Sequence, residues 1–356
     1  MQELEIKYPL RFYPVLKQTL WGGNRIVPFL SLDKEIGISG ASYSSIERVG
    51  ECWAVSGIEG SVSVVKGGAL DGKSLSELVE MCGEHLMGRK NAGRFGKEFP
   101  LLVKFIDAAQ DLSVQVHPDD CIAQQRHGCS GKTEMWYVVD SKDNAKLLSG
   151  FAKPLDRQQY DNMSARQIVD SLQEYVITEG DMFHLPAGTV HSIGAGAFIV
   201  EIQQASDITY RIYDFDRKDK DGNFRELHTA FAAEAINFSS SCGCKIDESL
   251  QVDPTSSNAW DYASKSVDCG HFITSLLSLQ NNGDVLKRLD FNYSHLDSFV
   301  LLTCTSGTCS LLYDGPEKEN RIEMRRGDSM LLPADLAGVT FELQPGVSCE
   351  VLQTHI

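Results

Sequence analysis

Two histidines, a glutamine and a glutamate carry the chemistry that can be read from this chain. Gly180 to His191, GDMFHLPAGTVH, ends a strand-like stretch with a Pro-Ala-Gly turn and delivers His191 three residues after Gly188. Upstream, LSVQVHPDD at 112–120 places Gln115 and His117 two apart in an alternating, β-branched run. Period-two geometry puts those two side chains on one strand face and Val114 and Val116 on the other. Seventeen residues beyond His117 stands Glu134, where GKTEMWYVVD opens a second strand. One carboxylate, two imidazoles and an amide oxygen form an N/O set suited to a borderline divalent cation, with zinc the usual occupant where no redox chemistry is implied. A plainer reading makes Gln115 a surface strand residue, Glu134 one end of a salt bridge and His191 a half-buried hairpin residue.

The elements that must position these groups are mostly strands. Short strand-like pieces fill the first 60 residues, broken at Gly22-Gly23 and by a Gly/Ser-rich loop near 37–45. Three stretches have helical spacing: 70–88, with Leu75, Leu78, Val79, Cys82 and Leu86 on one stripe, then 164–175 and 223–238. His85, on the first of these, reads as packed or solvated. In the C-terminal third, Gly327-Asp328 through Leu332-Pro333-Ala334 repeats Gly180-Asp181 through Leu185-Pro186-Ala187 with the same spacing. Gly338 falls where His191 stands in the first copy, so the repeat keeps a turn and loses the ligand. The runs 298–313 and 338–346 add further strands.

Several words in the chain resemble the type I mannose-6-phosphate isomerases, zinc-dependent members of the cupin β-barrels. They are PLLVKFIDAAQDLSVQVHPDD at 100–120, GKTEMWYVVD at 131–140, LPAGTVHSIGAG at 185–196 and EIQQASDITYRIYDFDR at 201–217, with weaker echoes in LKQTLWGGNRI at 16–26 and GECWAVSG at 50–57. The Gly180–His191 turn itself resembles the second cupin motif. Gln-x-His in place of His-x-His, and the long gap to Glu134, depart from the general cupin pattern but are expected of this branch; Ala195 replaces an asparagine often found after the second motif. The resemblance implies a mainly β bicupin: two jelly-roll barrels, helical additions to the N-terminal half, a catalytic metal-binding domain over 1–240 and a degenerate, metal-free domain over 241–356. It also implies one zinc per chain on Gln115, His117, Glu134 and His191, with Arg211, Asp207 and Lys132 around it. Arg211 would stabilise negative charge or anchor substrate, Asp207 would assist proton movement at sugar hydroxyls, and Lys132 would contribute positive charge. The alternative for Asp207 and Arg211, four apart, is a plain salt bridge. Lys104 and Arg217 are further candidate phosphate contacts, and Glu51 and Trp53 candidate walls of the pocket.

That assignment is chemically coherent. Interconverting mannose 6-phosphate and fructose 6-phosphate moves a proton between adjacent carbons through an enediolate, which a Lewis-acidic, redox-inactive cation stabilises. An iron-dependent cupin dioxygenase would use similar ligands without a phosphate anchor, and a non-catalytic sugar-binding bicupin would not need Lys132 and Arg211 beside the full ligand set.

Composition bounds the partners. A formal charge of −16 over 356 residues argues against nucleic acid, whose affinity rests on Lys and Arg neutralising phosphates. A sugar phosphate must then be held by a local positive cluster rather than by the overall field. No signal-peptide core and no run of about 20 apolar residues is present, so the expectation is a cytoplasmic protein without membrane association, a monomer or weak homodimer. Ten scattered cysteines read as reduced thiols, and Cys242-Gly-Cys244 as incidental.

Overall fold

The computed structural model describes residues 6–32, 35, 42–43, 46–239, 244–246, 263–314 and 320–356. Most of the Gly/Ser-rich loop near 37–45, Cys242 and the segment around residue 241 lie outside these. The chain is mainly β. A six-stranded antiparallel sheet runs in the order Met182–Leu185, Glu134–Ser141, Ala197–Gln204, Leu101–Asp107, Val49–Ser56, Val15–Gly23. A five-stranded sheet runs Tyr210–Tyr213, Val114–Val116, His191–Ile193, Lys146–Phe151, Leu172–Val176. Ile106, Trp136, Val138 and Ile199 of the first share one apolar cluster with Leu147 and Ile193 of the second, so the two sheets face each other.

The outer faces are covered too, which explains the near-continuous apolar runs. All seven residues of Leu101–Asp107 and all eight of Ala197–Gln204 are buried. Behind the six-stranded sheet packs the helix Leu75–Met87, through the stripe Leu75, Leu78, Val79, Cys82 and Leu86. Ser74 and Glu77 close a reciprocal capping box at its start, satisfying backbone N–H groups that the first turn leaves unpaired. His85 on this helix binds Asp335 at 2.7 Å, tying it to the C-terminal third.

Two helical expectations are shortened. The stretch 164–175 is helical only over Ala165–Ser171, because Leu172 turns extended and pairs with Phe151 in the five-stranded sheet. The stretch 223–238 is helical only over Thr229–Ala235. Residues before it spend their backbone groups elsewhere: Phe224 bridges to Lys218, and His228 N–H donates to Arg211 O at 2.7 Å. Tertiary pairing outweighs helix propensity at both places.

The C-terminal strands form a ten-stranded antiparallel sheet together with N-terminal ones: Leu10–Tyr13 pairs with Ser329–Leu332 through Leu10 and Leu331. Within it Leu332 pairs with Val300, just as Leu185 pairs with Glu134 in the six-stranded sheet. Gly338 pairs with Asn292, while its neighbour Val339 joins Phe291 in the apolar core. No described helix is long and apolar enough to cross a membrane, and the nine described cysteines are free thiols.

Candidate metal centre and substrate cavity

Register builds the centre. His191 pairs with Gln115 across two strands of the five-stranded sheet, and Gln115 pairs in turn with Arg211 on the next strand. Cross-strand partners share a face, so all three side chains turn toward the opposing sheet. From that sheet comes Glu134, the first residue of its strand. The turn before His191 requires glycine: Gly188 has φ +88, its N–H donates to His117 O at 2.9 Å, and an added Cβ would meet Asn237 Cβ at 2.9 Å. That bond ties the turn to the strand end carrying His117.

His117, Glu134 and His191 are buried, with ligand atoms all within 4.8 Å of one another, and they are the one such cluster among the described residues. Glu134 Oε2 lies 3.5 Å from His117 Nε2, and Oε1 lies 3.4 Å from His191 Nε2. Each imidazole donates its Nδ1–H to a backbone carbonyl, His117 to Ile208 at 2.9 Å and His191 to Thr189 at 2.8 Å. That fixes the tautomer and turns an Nε2 lone pair toward the carboxylate, the arrangement metal-ligating histidines share. Gln115 donates from Nε2 to His191 Nε2 at 3.3 Å, and Lys132 Nζ stands 3.2 Å from His117 Nε2 and 3.4 Å from Glu134 Oε2.

Electrostatics favour a cation here. Burial, reinforced by Lys132, holds His117 well below the usual imidazole range, and burial takes His191 down to about 4. Both are therefore neutral ligands at any physiological pH. Burial, together with the Glu201 charge, pushes Glu134 up to about 8. Both its buried oxygens lack a well-formed hydrogen bond. A desolvated carboxylate with two lone pairs aimed at it fits a divalent cation.

Beside this centre opens a cavity of about 300 Å³, at the small end of the range for small-molecule sites. Gln115, Lys132, Asp207, Thr209 and Arg211 line it, as do Glu51 and Lys104. Arg211 is half-buried, donating from Nε to Ser113 Oγ at 3.3 Å and from Nη1 to Glu226 O at 3.0 Å. Ser113 Oγ passes a 3.3 Å bond on to Gln115 Oε1, linking the guanidinium to the ligand cluster. Trp53 donates to Glu51 Oε2 at 2.6 Å and so braces the wall rather than forming it. Arg217 is turned away, paired with Asp214 at 2.6 Å.

The sequence reading missed Glu201, Ser113, Arg225 and His228, all of which line the cavity. Glu201 had a signal: it interrupts the apolar run AFIVEIQQ, as Lys104 interrupts LLVKFID, and the two are cross-strand partners with Nζ and Oε1 3.0 Å apart. Trp136 Nε1 donates to the other oxygen at 3.0 Å. Burial pushes Glu201 up, but Lys104 and Lys132 overcome it and hold the carboxyl at about 2.

Comparison with known proteins agrees with this geometry. The family model described as phosphomannose isomerase type I, catalytic domain, matches residues 10–171. Mannose-6-phosphate isomerase ManA of Bacillus subtilis (strain 168) is 34% identical over 345 residues, covering 96% of this chain and 98% of that protein. The mannose-6-phosphate isomerase of Streptococcus mutans is 40% identical over 222 residues, 62% of this chain and 65% of the relative. Among solved structures, the mannose 6-phosphate isomerase from Bacillus subtilis superposes with a TM-score of 0.79 at 30% identity, over 98% of this chain and 99% of that one. A mannosephosphate isomerase from Archaeoglobus fulgidus, described there as putative, shares the fold at a TM-score of 0.72 and 19% identity, over 98% and 97%. The chain belongs to the type I phosphomannose isomerase family.

Proposed function

We propose that the protein interconverts mannose 6-phosphate and fructose 6-phosphate by moving a proton between adjacent sugar carbons through an enediolate. The observation that carries this reading is the buried His117, Glu134, His191 cluster, whose neighbours Gln115 and Lys132 line a cavity together with Arg211. In a chain of net charge −16, Lys132 and Arg211 supply the local positive field an anionic sugar requires, while Lys104 is paired with Glu201 and Arg225 with Asp214.

His117, Glu134 and His191 would hold one divalent cation per chain, which we read as zinc, and Gln115 would complete the set. The Gln115 amide presents nitrogen to His191 Nε2; turned half a rotation about its last torsion, it offers oxygen at the same place. The bound ion would supply Lewis acidity toward the substrate's carbonyl and hydroxyl oxygens. The chain's residues do the rest. Arg211 holds the phosphate or the developing oxyanion, with its orientation set by Ser113 and the Glu226 carbonyl. Lys132 adds positive charge beside the ligands, and Asp207 shuttles a proton at a sugar hydroxyl. Lys104, Glu201 and Glu51 form a charged but internally paired wall, which Trp53 braces.

We read the two facing sheets as one cupin barrel and the C-terminal third as a second, degenerate one, with domains near 1–240 and 241–356 and the strand Leu10–Tyr13 lent to the second. Val300 there stands at the register position of Glu134, and Phe291 and Val339 fill the interior. Free thiols and acidic composition support a cytoplasmic enzyme, monomeric or weakly dimeric. A coupled assay for fructose 6-phosphate, run on zinc-loaded protein with mannose 6-phosphate, tests the reading: turnover abolished by chelation supports it, and no turnover at any metal loading refutes it.

A further inference from the structure

The strand Tyr210–Tyr213 carries Arg211 and pairs on one side with Val114–Val116. Its other edge is closed by a strap, Arg225 to His228, through bonds that converge on Arg211. Arg211 N–H donates to His228 Nδ1 at 3.2 Å, His228 N–H donates to Arg211 O at 2.7 Å, and Arg211 Nη1 donates to Glu226 O. The strap is anchored upstream by Arg225, whose Nε donates to Asp214 Oδ2 at 2.7 Å, and downstream by the helix that starts at Thr229.

One of these bonds fixes the chemistry of His228. A ring nitrogen that accepts a backbone N–H carries a lone pair, so Nδ1 is unprotonated and the proton of the neutral ring sits on Nε2. His228 lines the cavity with Arg211, Arg225, Ser113 and Thr209, and its Nε2 stands 3.9 Å from the exposed Glu226 carboxylate, beyond hydrogen-bond reach. We propose that His228 belongs to the phosphate-recognising group of the site, positioning Arg211 through Nδ1 and offering its Nε2–H to the substrate's phosphate. This rests on the isomerase reading for the identity of the substrate, but not for the anion. Arg211 spends two of its five N–H donors on Ser113 and Glu226 and keeps the others for the same anion.

The side-chain amides of Asn and Gln separate the two roles. His228→Asn restores an acceptor near Nδ1 and no donor at Nε2; His228→Gln restores a donor near Nε2 and loses the acceptor. Inorganic phosphate is titrated calorimetrically into zinc-loaded wild type and His228→Ala, →Asn and →Gln, with metal content and the Michaelis constant for mannose 6-phosphate measured alongside. The expectation for Ala is a weakening of phosphate binding and a rise in the Michaelis constant of about ten- to a hundredfold, the scale of one hydrogen bond to a charged acceptor. Metal content should not change, turnover should fall less than affinity, and Asn and Gln should each recover part of the loss. Unchanged phosphate affinity in Ala and Gln, or full recovery by Asn alone, would overturn the contact. Wild type that binds phosphate through His228 yet fails to isomerise mannose 6-phosphate would refute the isomerase reading and leave this one standing.

Discussion

Replacing Lys104 with Met removes one charge from the middle of the molecule and almost no volume. Lys104 is 4% exposed and Glu201 3%, with Nζ and Oε1 3.0 Å apart, so water does not screen the pair. After the change the Glu201 carboxylate keeps the Trp136 indole N–H and loses its counter-ion. Leaving a buried charge unpaired in this way costs about 3–5 kcal/mol. The titration of Glu201 points the same way: Lys104 and Lys132 together, with the Trp136 bond, overcome burial and hold the carboxyl at about 2, so its ionised form stabilises the folded state. Because the folded-state value is depressed, that contribution is fully present above about pH 4.5 and drains away as pH falls toward 2. Urea unfolding followed by tryptophan fluorescence, at several pH values between 3 and 8 and at fixed metal loading, reads both quantities. Lys104→Met should lose about 3–5 kcal/mol near pH 7, a large share of a typical 5–15 kcal/mol stability. Its deficit should shrink as pH falls from neutral, because without Lys104 burial raises the Glu201 carboxyl and protonation relieves it, and shrink further below about pH 4.5 as the wild type loses its own contribution. Lys104→Met with Glu201→Gln should regain part of the loss, since a neutral pair leaves no buried charge. A deficit under about 1 kcal/mol at pH 7, or one that does not shrink in acid, would refute the account of the buried pair.

Further outcomes follow from the centre and its cavity. His117→Ala and His191→Ala should each lose bound metal and activity together, whereas metal content near that of the wild type in both, measured by elemental analysis, would remove the ligand assignment. Metal affinity of the stripped protein should climb between about pH 5 and pH 8 with release of a single proton, because Glu134 titrates near 8 there while His191, near 4, and His117, lower than usual, are already neutral. Calorimetry in buffers of different ionisation enthalpy counts that proton, and release of two or three would contradict neutral histidines. Arg211→Lys should fold and hold metal yet lose activity at least about tenfold, since one ammonium cannot make both the Ser113 and Glu226 bonds and still grip an anion. Steady-state kinetics then separates a fall in turnover, the mark of a transition-state role, from a rise in the Michaelis constant alone.

What the sequence by itself determined is local and periodic. Gln115 and His117 share a face because a strand has period two; His191 follows a Pro-Ala-Gly turn because only glycine takes the +88° torsion of Gly188. The stripe over Leu75–Leu86 and the alternation in the C-terminal strands belong to the same class of signal, and the mainly β architecture follows from them. The helix limits at Ser171 and Thr229 were not legible, since the competing strand partner in each case, Phe151 or Arg211, lies distant along the chain. Only the tertiary structure decided which charges meet. Lys104 and Glu201 are 97 residues apart and Arg211 and Ser113 are 98 apart, yet sheet register sets each pair within bonding distance. The turn after Tyr213 leaves Arg217 on Asp214, and a bond to a backbone amide brings His228 to Arg211. A residue's type announces what chemistry it can do, whereas partner, burial and the resulting protonation state are properties of neighbours that folding alone brings together.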